Sequence, residues 1–550
     1  MIFKSVGSLD GKTEKSFFLE QIQVYRRLVE VFCERHGIKP CGHDMVSDDV
    51  DGRSAGGMTA ALADFAGEGR PNQGSGGSPE FVSELKAIGI ITDEDELPEL
   101  KSVLGKEYGR FAEAVEFVIA HRREIFEGEA RPGEAGDLLG KLYNSRRRKI
   151  QEEAAKKHGP TLVDFFCGAG GLSLGFVQEG FQVRLANDVE DVCVQTYKYN
   201  HPELPSDRLV QGDIRKLVKH LGDYFANDAG EEIDVVTGGP PCQGFSEANR
   251  QRVIDDPRNE LYKYFVKAVE IIGPKIVVME NVKGMQKVAG QVVEDYERLR
   301  IRKGGKVYSY KVKYEILNSQ DFSVAQSRER LIYIAVRNDV TEEKGVRPED
   351  IFERIKKSCE GHRTFILTDA LRDIKPLEAP RIKNMNEVDS DTTGKKIDIN
   401  AYAENDNEYL RLINGGRKIP YVLNHKARYL SDVNYEIYKR LSQGDDATDE
   451  KIKDIMPYAH RNHCFKDKYY KLIADRPCRT ITAHLKMDCH SHIHPYQVRA
   501  LTPREAARVQ SFPDDYLFWG AYLKTYMQIG NAVPTVMARG IARVIKECLE

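Results

Sequence analysis

The sequence contains no run of eighteen apolar residues, so a membrane-spanning helix of ordinary length is excluded. Its first residues, 1–5, are not followed by an apolar signal core, and we therefore expect a cytoplasmic protein. The ten cysteines show no paired spacing of the kind that builds a disulfide framework. Free thiols in a reducing compartment are the better interpretation, and a reactive cysteine could stay reduced there.

An excess of charge of one sign is also missing, because the formal net charge is only −3. Such a molecule is not a polycation that coats nucleic acid, so any contact with DNA must be local. Basic residues do concentrate at 146–149 and again between Arg298 and Lys306. Runs of this kind are more often a solvated face than a binding patch.

The length of 550 residues predicts two or three domains, and no internal repeat is evident. Residues 1–158 are predicted to form a mainly helical region, because apolar residues recur at helical spacing between Phe18 and Phe32 and again between Tyr108 and Ile119. The glycine-rich segment 67–79 has the composition of a linker or flexible loop. No motif in this region indicates chemistry, and DNA contact, dimerisation and partner binding are its open roles.

From Thr161 onward, short apolar runs alternate with helical stretches. This pattern predicts an α/β fold with a doubly wound, mostly parallel sheet. The core is expected to occupy residues 159–340 and to resume at 499–550, with a separate, smaller domain between them. The predicted strands are Leu162–Phe166, Val183–Ala186, Ile233–Val236, Ile276–Met279 and Leu331–Val336. The predicted helices lie near 171–180, 190–199 and 259–272, followed later by Arg504–Gln510 and Ala532–Leu549.

Residues 238–246 read Gly-Gly-Pro-Pro-Cys-Gln-Gly-Phe-Ser and follow a predicted strand almost directly. Proline can neither donate to a strand ladder nor continue a strand, so the strand must end in a loop. Loops at the carboxyl ends of parallel strands are where α/β sheets bind ligands. Cys242 therefore stands where a thiolate nucleophile would be useful, and the alternative is a buried, inert cysteine on a tight turn.

A glycine-rich turn, Asp-Phe-Phe-Cys-Gly-Ala-Gly-Gly-Leu-Ser, follows the first predicted strand at residues 164–173. Its glycines let the backbone approach a ligand closely at the amino end of a helix. Asp188 ends the second strand, where a carboxylate can accept from ribose hydroxyls. Asp213 follows a third short run and could accept from an adenine amino group. Their order predicts a cofactor that contains adenosine, while a helix cap or turn is the alternative for each carboxylate alone.

Further charged groups follow the strands beyond the cysteine loop. Glu280 ends the next strand, and adjacent strand ends would bring it beside Cys242. A carboxyl group beside a thiol suggests acid catalysis paired with nucleophilic attack. Arg328 and Arg330 stand where another strand begins, and alternate residues of an extended chain point the same way. Both arginines could thus face the pocket or a phosphate backbone, and the alternative is a surface pair bridged to Glu329.

By these residues the chain resembles the DNA cytosine-5 methyltransferases of the prokaryotic type, in order over about residues 161–340 and 500–540. The resemblance implies the doubly wound core of class I S-adenosylmethionine-dependent methyltransferases, with S-adenosylmethionine as the methyl donor. It also implies a mixed target recognition domain in residues 341–498. The matching blocks are Asp164–Gly171, Pro240–Gln243, Glu280–Val282, Gln326–Arg330, Arg504–Pro513 and Gln528–Pro534.

The resemblance also implies roles for individual residues. Cys242 would add to carbon 6 of cytosine, Glu280 would hydrogen-bond ring nitrogen 3, and Arg330 would contact the carbonyl oxygen of the base. Arg328, the fourth residue of this catalytic set, would support the loop or a phosphate. The positions implied for cofactor binding are Phe166, Gly168, Gly170, Asp188, Val189, Asp213, Ile214, Pro240, Asn531 and Val533.

Duplex DNA is the implied partner, with the target cytosine flipped out of the stack, and a nucleoid association follows from it. A cognate restriction endonuclease would accompany a restriction-modification role; a solitary epigenetic role is the alternative, and a monomer on DNA is favoured. An RNA-directed methyltransferase and a non-catalytic nucleic-acid-binding regulator are the competing functions. The pattern Gln243–Ser246 argues against the first, and the intact Cys242 argues against the second.

Histidines and cysteines cluster between His460 and His494. No Cys-x-x-Cys pair occurs there, although zinc sites ordinarily show such regular ligand pairs. The sequence therefore predicts no metal site, and DNA contact or packing is expected of these side chains.

Overall fold

The structure is a computed structural model that describes residues 158–225, 232–241, 260–383, 389–398, 407–457 and 468–550, with short pieces between 81 and 156. The chain divides after Arg148 into two compact units. In the first unit, described residues form helix α1 (Leu97–Leu104), and Val115 is helical and buried. Outside the described residues lie the predicted helix between Phe18 and Phe32, the segment 67–79 and Cys242.

A seven-stranded sheet organises the second unit. Its strands are β1 (Thr161–Phe165), β2 (Gln182–Asp188), β3 (Leu209–Gln211), β4 (Val235–Gly238), β5 (Ile276–Val282), β8 (Tyr310–Asn318) and β9 (Glu329–Arg337), while β6 (Ile301–Lys303) and β7 (Lys306–Tyr308) form a separate hairpin. The order is β3-β2-β1-β4-β5-β9-β8. The strands from β3 to β5 are parallel, and β9 pairs antiparallel with both β5 and β8. The predicted mostly parallel α/β sheet is confirmed.

The second unit also contains helices, which pack on both faces of the sheet or lie in residues 341–498. They are α2 (Gly171–Gln178), α3 (Asp191–Asn200), α4 (Ile214–Leu217), α5 (Glu260–Ile272), α6 (Ala289–Glu297), α7 (Asn338–Lys344), α8 (Pro348–Cys359), α9 (Leu367–Leu371), α10 (Glu408–Ile413), α11 (Asp432–Arg440), α12 (Pro503–Val509), α13 (Tyr522–Asn531) and α14 (Thr535–Leu549). Across the described stretches, we find no helix with the length and apolar character that a bilayer crossing requires.

Alternate residues of the central strands enter two different hydrophobic cores, because successive side chains of a strand point to opposite faces. Leu162 of β1 belongs to the core that includes α2 and α14, and its neighbour Val163 belongs to the core that includes α5. All five residues of β1 are buried, as expected for a parallel strand that is covered on both sides. The sheet is thus a rigid base for the loops at its carboxyl edge.

Several element ends differ from the prediction. Strand β4 begins at Val235 and continues to Gly238. Strand β5 continues beyond Met279 to Val282, so Glu280 lies near its carboxyl end, as expected. The last helix begins at Thr535, since Pro534 occupies its N-cap position. Helix α13, which precedes it, was not predicted, because its apolar spacing is interrupted by polar residues that are buried in the fold.

Residues 341–498, which we call the recognition region after the role that the resemblance implies, contain short helices and a two-stranded antiparallel sheet, β10 (Gly394–Asp398) and β11 (Val422–Lys426). This region interlocks with the C-terminal block rather than standing apart from it. Asn424 of β11 donates to the carbonyl oxygen of Phe518 at 3.0 Å and accepts from its N–H at 2.9 Å. Arg504 donates to the carbonyl oxygen of Leu423 at 2.5 Å. The two parts therefore share one packed interior.

Candidate active site

The carboxyl ends of β4 and β5 bring two predicted site segments together. Gly238, the last residue of β4, is paired with Met279 of β5, so the two residues that follow them, Gly239 and Glu280, are neighbours. A Cβ at Gly239 would lie 3.1 Å from Oε2 of Glu280. The side chain of Asn281 also donates to the carbonyl oxygen of Pro240 at 3.1 Å. The loop that leads to Cys242 is thereby fixed beside the carboxyl group.

Glu280 forms an ion pair with Arg330 across the sheet. Strand pairing sets Val282 opposite Arg330, and Arg330 Nε lies 2.8 Å from Glu280 Oε1. The two side chains are only 12% and 14% exposed, so water screens this pair little. Glu329, the suggested bridge between the arginines, pairs with Lys283 at 2.8 Å instead. An acid and a guanidinium therefore form the wall next to the cysteine loop.

Arg328 does not share the direction of Arg330. It precedes β9, is buried, and donates to the carbonyl oxygens of Ile481 at 2.6 Å and Gly530 at 3.0 Å. The expectation that both arginines face the pocket assumed regular extended backbone, and β9 begins only at Glu329. With a side chain that is 1% exposed, Arg328 has contacts that suit support of a loop and not a phosphate.

The glycine-rich turn after β1 has the backbone that glycine allows. Gly168 and Gly170 have φ angles of 53° and 83°, and Phe166 shares this left-handed region at 54°. Asp188, at the end of β2, accepts from the N–H of Gly168 at 2.8 Å and from that of Glu190 at 2.8 Å. Burial raises the pKa of Asp188 above its ordinary value. This carboxyl group therefore ties the end of β2 to the turn.

The residues predicted from the far end of the chain reach the same turn. A Cβ at Gly171 would lie 2.6 Å from the carbonyl oxygen of Val533, so only glycine permits this approach. Gly170 is equally constrained, since its Cβ would lie 2.7 Å from the hydroxyl of Tyr516. Asn531 ends α13 close by in the chain and is exposed. The structure thus brings the Gln528–Pro534 block beside the turn.

Val189, Asp213 and Ile214 lie at the ends of β2 and β3. Val189 is 62% exposed, which is unusual for so apolar a side chain, whereas Ile214 is buried. Asp213 caps α4 by accepting from the N–H of Arg215 at 2.8 Å. Its hydrogen bond to the guanidinium of Arg215 lowers its pKa. The helix-cap alternative for Asp213 therefore describes one of its functions, and the carboxylate remains partly exposed.

A buried polar group beneath the turn was not given a role by the sequence analysis. Asp164 of β1 accepts from Ser173 Oγ at 2.5 Å and from Thr237 Oγ1 at 2.9 Å. Burial raises the pKa of Asp164 to about 6. The signal was available, because an aspartate inside an apolar strand must find hydrogen-bond donors. Its contacts join β1, α2 and β4 directly below the predicted cofactor turn.

The described histidines of the His460–His494 cluster take part in packing and hydrogen bonds. His490 lies 2.8 Å from the hydroxyl of Tyr438, and Nδ1 of His494 accepts from the N–H groups of Tyr496 and Gln497 at 3.1 Å each. Within the stretches that the structure describes, no group of three or more metal-ligating side chains is found.

Together, the fold, the glycine-rich turn after β1 and the acid–arginine pair at the end of β5 define an α/β enzyme of the class I methyltransferase type. A family model for C-5 cytosine-specific DNA methylases matches residues 161–547. The chain belongs to this family, and it is a DNA cytosine-5 methyltransferase.

Similar proteins agree with this assignment. Type II methyltransferase M1.HphI of Haemophilus parahaemolyticus is 32% identical over 399 residues, which are 70% of this chain and 86% of the relative. Type II methyltransferase M.DdeI of Desulfomicrobium norvegicum is 32% identical over 415 residues, 70% of this chain and 88% of the relative. A solved E. coli structure, assigned as a DNA modification methyltransferase encoded within a prophage, has the same fold, with a TM-score of 0.53 and 24% identity over 71% of this chain and 99% of its own.

Proposed function

We propose that this enzyme moves the methyl group of S-adenosylmethionine to carbon 5 of a cytosine flipped out of a specific duplex DNA sequence, through a covalent bond to Cys242. The observation that carries the proposal is the Glu280–Arg330 pair, 2.8 Å long. It stands beside Pro240, two residues before the cysteine. Addition of a thiolate to a pyrimidine ring needs an acid and a cation at this place.

The residues around the glycine-rich turn fit S-adenosylmethionine. Among the described residues, no atom lies within 4 Å of the position that a Cβ would take at Gly168, so a ligand can approach the backbone closely there. Val189 offers an exposed apolar surface next to Asp188. When bound, the cofactor supplies an electrophilic methyl group on a sulfonium. Asp188 and Asp213 would accept from the ribose and the adenine. The other side chains and backbone groups that we assign to this site are Phe166, Gly168, Gly170, Ile214, Pro240, Asn531 and Val533.

The proposed chemistry begins with Cys242. Carbon 5 of cytosine is a poor nucleophile until a thiolate adds to carbon 6. The sulfur forms a bond to carbon 6, the electron pairs of the ring shift towards nitrogen 3, and that nitrogen takes a proton. Carbon 5, now part of an enamine, takes the methyl group. A base then removes the proton from carbon 5, the sulfur–carbon bond breaks, and nitrogen 3 returns its proton to Glu280, which restores the aromatic ring and the thiolate.

Glu280 is the proposed source of the proton at nitrogen 3. Arg330 contacts Oε1, while Oε2 faces Gly239 and the cysteine loop. In this step, a proton that Glu280 shares with the base moves to nitrogen 3 when thiolate addition makes that nitrogen more basic. Arg330 then balances the carboxylate charge in a nearly buried site, where such an interaction is strong.

The substrate and its context complete the proposal. Carbons 5 and 6 cannot be reached inside a stacked duplex, so the cytosine must be flipped out at a cost of a few kcal/mol. Residues 341–498 would read the recognition sequence. Because the relatives are named type II methyltransferases, we infer a restriction-modification role with a cognate endonuclease, exercised in the cytoplasm at the nucleoid by a monomer on DNA.

Methyl transfer from tritiated S-adenosylmethionine tests the substrate. Unmethylated plasmid DNA and transfer RNA are offered separately to the purified protein, and we expect label in the DNA only. Bisulfite sequencing of the plasmid then gives the recognition sequence. Label that enters only the RNA would contradict the proposal.

A covalent trap tests the mechanism. A duplex with 5-fluorocytosine at the target position has no removable proton on carbon 5, so the adduct should persist with the wild-type enzyme and be absent from the Cys242→Ser variant. Cys359→Ser is the matched control, since Cys359 is a half-buried cysteine of α8. The control should form the adduct in full, and an adduct with Cys242→Ser would refute the assignment of the nucleophile.

A further inference from the structure

Three parts of the molecule meet at one short segment, Cys478–Thr482 of the recognition region, which we name the clamp segment. It lies along residues 325–327 as a parallel bridge that pairs Gln326 with Cys478. Cys478 N–H donates to the carbonyl oxygen of Ala325 at 2.9 Å, and Ser327 N–H donates to that of Cys478 at 2.8 Å. The hydroxyl of Thr480 adds a bond to Ser327 at 2.9 Å. The recognition region is therefore joined to the chain directly before β9.

The side chain of Gln326 uses both ends of its amide at this junction. Its Oε1 accepts from the N–H of Ile481 at 2.7 Å, and its Nε2 donates to Oε1 of Gln510 at 2.8 Å. Gln510 continues the connection by donating to the carbonyl oxygens of Ile529 at 2.7 Å and Ala532 at 3.2 Å. A continuous hydrogen-bonded path thus runs from the clamp segment to the turn that holds the proposed cofactor residue Val533.

Arg328 makes the second connection. Its guanidinium bridges the carbonyl oxygens of Ile481 and Gly530. The backbones are packed without space, because a Cβ at Gly530 would lie 2.2 Å from the N atom of Ala483. Among the described residues, Arg328 Nε has no hydrogen-bond partner, and no carboxylate contacts this guanidinium. Burial lowers the pKa of Arg328 well below its ordinary value.

A lone buried guanidinium is costly for stability. The desolvation penalty of an ion in the interior is several kcal/mol, and two neutral carbonyl groups return only part of it. A neutral side chain would fill the same space at lower cost. This charge lies two residues from Arg330 and is hydrogen-bonded to both the clamp segment and Gly530 at the end of α13. Its position indicates that it holds residues of the site in place.

We propose that Gln326 and Arg328 are positioning residues: they hold the clamp segment against the strand that carries Arg330, and thereby set the position of that arginine for chemistry. The inference rests on the proposed function. In this arrangement the contacts of the recognition region with DNA and the reach of Arg330 to Glu280 share one rigid junction. Loosening the junction should slow the chemical step more than it weakens DNA binding.

Arg328→Lys is the principal test, and Arg337→Lys is its matched control. Arg337 is as buried as Arg328, ends the strand that Arg328 precedes, and also donates to a backbone carbonyl, that of Gly273 at 2.5 Å. Unlike Arg328, it also forms ion pairs with Glu232 and Asp339, at 2.7 Å each. It lies at the opposite edge of the sheet, more than about 20 Å from Arg330 at roughly 3.3 Å per strand residue. Lysine keeps the charge in both variants, but it cannot reproduce the several hydrogen bonds of a guanidinium. Each substitution therefore disturbs one buried arginine, and only Arg328 contacts the clamp segment.

The measurements are single-turnover methyl transfer at saturating cofactor and DNA, DNA affinity, and Tm. We use a duplex with the sequence found by bisulfite sequencing. For Arg328→Lys we expect a loss of ~10- to 100-fold in the transfer rate, the size that misplacement of a reacting group by about 1 Å produces, with DNA affinity changed by less than about threefold. For Arg337→Lys we expect a similar fall in Tm and an unchanged rate.

Gln326→Leu keeps the test decisive if Arg328→Lys fails to fold, with Gln497→Leu as its control. Gln497 is a partly buried glutamine of the recognition region that also accepts a backbone N–H, that of Leu377 at 2.9 Å. A slow Gln326→Leu enzyme beside a normal Gln497→Leu enzyme supports the proposal. Equal rates within each variant pair, or a loss seen only in DNA affinity, would overturn it while the wild type still methylates DNA. A wild type that methylates no DNA would overturn the proposed function and this inference together.

Discussion

The two carboxyl oxygens of Glu280 have different surroundings. Oε1 is held by Arg330, and Oε2 faces the backbone of Gly239. One oxygen is therefore committed to an ion pair within the protein, and the proposed mechanism assigns the other to the substrate. This division gives the carboxyl group a fixed direction, which a freely rotating side chain on a loop would lack.

Glu280→Gln tests this division. The glutamine can still hydrogen-bond a ring nitrogen, but it cannot share an acidic proton, and its pairing with Arg330 loses the charge. We expect a fall of about 10²- to 10³-fold in kcat, with DNA affinity nearly unchanged, because the interaction strengthens only as charge develops on the ring. Steady-state methyl transfer and a DNA-binding titration measure the two quantities.

Glu329→Gln is the control for this substitution. Glu329 is the neighbour of Arg330, and it is half exposed in an ion pair with Lys283. Exposed pairs of this kind contribute little, so its kcat should stay near that of the wild type. Equal kcat values for the two variants would show that the charge at position 280 is unimportant.

The sequence was informative at the scale of the residue where the chemistry itself restricts the residue type. Cys242, Glu280 and Asp188 were predicted to lie at or just after strand ends, and a strand end can be recognised from local pattern. The predicted positions of Glu280 and Asp188 agree with the structure, whereas Cys242 lies outside the described residues. Gln326 and Gln510 could not be found in this way, since their 2.8 Å contact joins residues far apart in the chain.

At the scale of the element, the C-terminal part of the chain shapes the glycine-rich turn after β1 by packing against it and against α2. Helix α14 packs on α2, and a Cβ at Gly175 would lie 2.5 Å from the Cβ of Ala538. The sequence predicts both helices, since each has a clear apolar run. The sequence does not predict the contact between the two helices. Their close approach depends on glycines without side chains, and the same glycines could equally indicate ordinary turns. Strand bounds were likewise missed by a few residues where polar groups continue a strand, as in β5.

Gly171→Ala tests the approach of the C-terminal block to the turn. The added Cβ would lie 2.6 Å from the carbonyl oxygen of Val533, which is backbone and cannot turn away. We expect the turn to shift, with at least a tenfold weaker affinity for S-adenosylmethionine, or about 1.4 kcal/mol, and a lower Tm. Calorimetric titration and thermal unfolding give these two values.

Gly290→Ala provides the comparison. Gly290 is a glycine in α6, and nothing lies within 4 Å of the position its Cβ would take. Alanine is favoured over glycine in a helix by about 1 kcal/mol, so this variant should be as stable as the wild type or more stable, with normal cofactor affinity. Cofactor affinity that is normal in Gly171→Ala as well would show that the Val533 contact does not shape the site.

At the scale of the whole molecule, the recognition region and the catalytic core are joined through a buried charged interior. Glu505 of α12 pairs with Arg499 at 2.6 Å, and His494 Nε2 lies 3.6 Å from the same carboxylate. His425 is buried nearby, with Nε2 donating to the carbonyl oxygen of Lys375 at 2.8 Å. These groups come from the recognition region and from the C-terminal block. A change in their protonation should therefore weaken the packing between these two parts.

The histidines of this interior should make stability depend on pH. Burial lowers the pKa of His425 to about 4 and that of His494 to about 3, from an ordinary value of 6.5. The unfolded chain therefore binds more protons than the folded one between pH 6.5 and these values. The stabilisation is complete above pH 6.5 and is lost as the pH falls towards 4. Asp164 acts in the opposite sense, because its raised pKa of about 6 favours the folded state as the pH falls below that value.

His494→Asn isolates the larger of the two histidine effects. Nδ1 of His494 accepts two backbone N–H groups, so protonation of this nitrogen removes both bonds, whereas an asparagine oxygen can accept from the residue two positions on without titrating. We expect the wild-type Tm to fall between pH 6.5 and 4.5 and the variant to fall less over the same range. His220→Asn, at an exposed histidine that follows α4, should keep the wild-type slope of Tm against pH. Equal slopes of Tm against pH for His494→Asn and His220→Asn would show that protonation of His494 does not cause the loss of stability in acid. The other buried groups of this interior would then account for that loss.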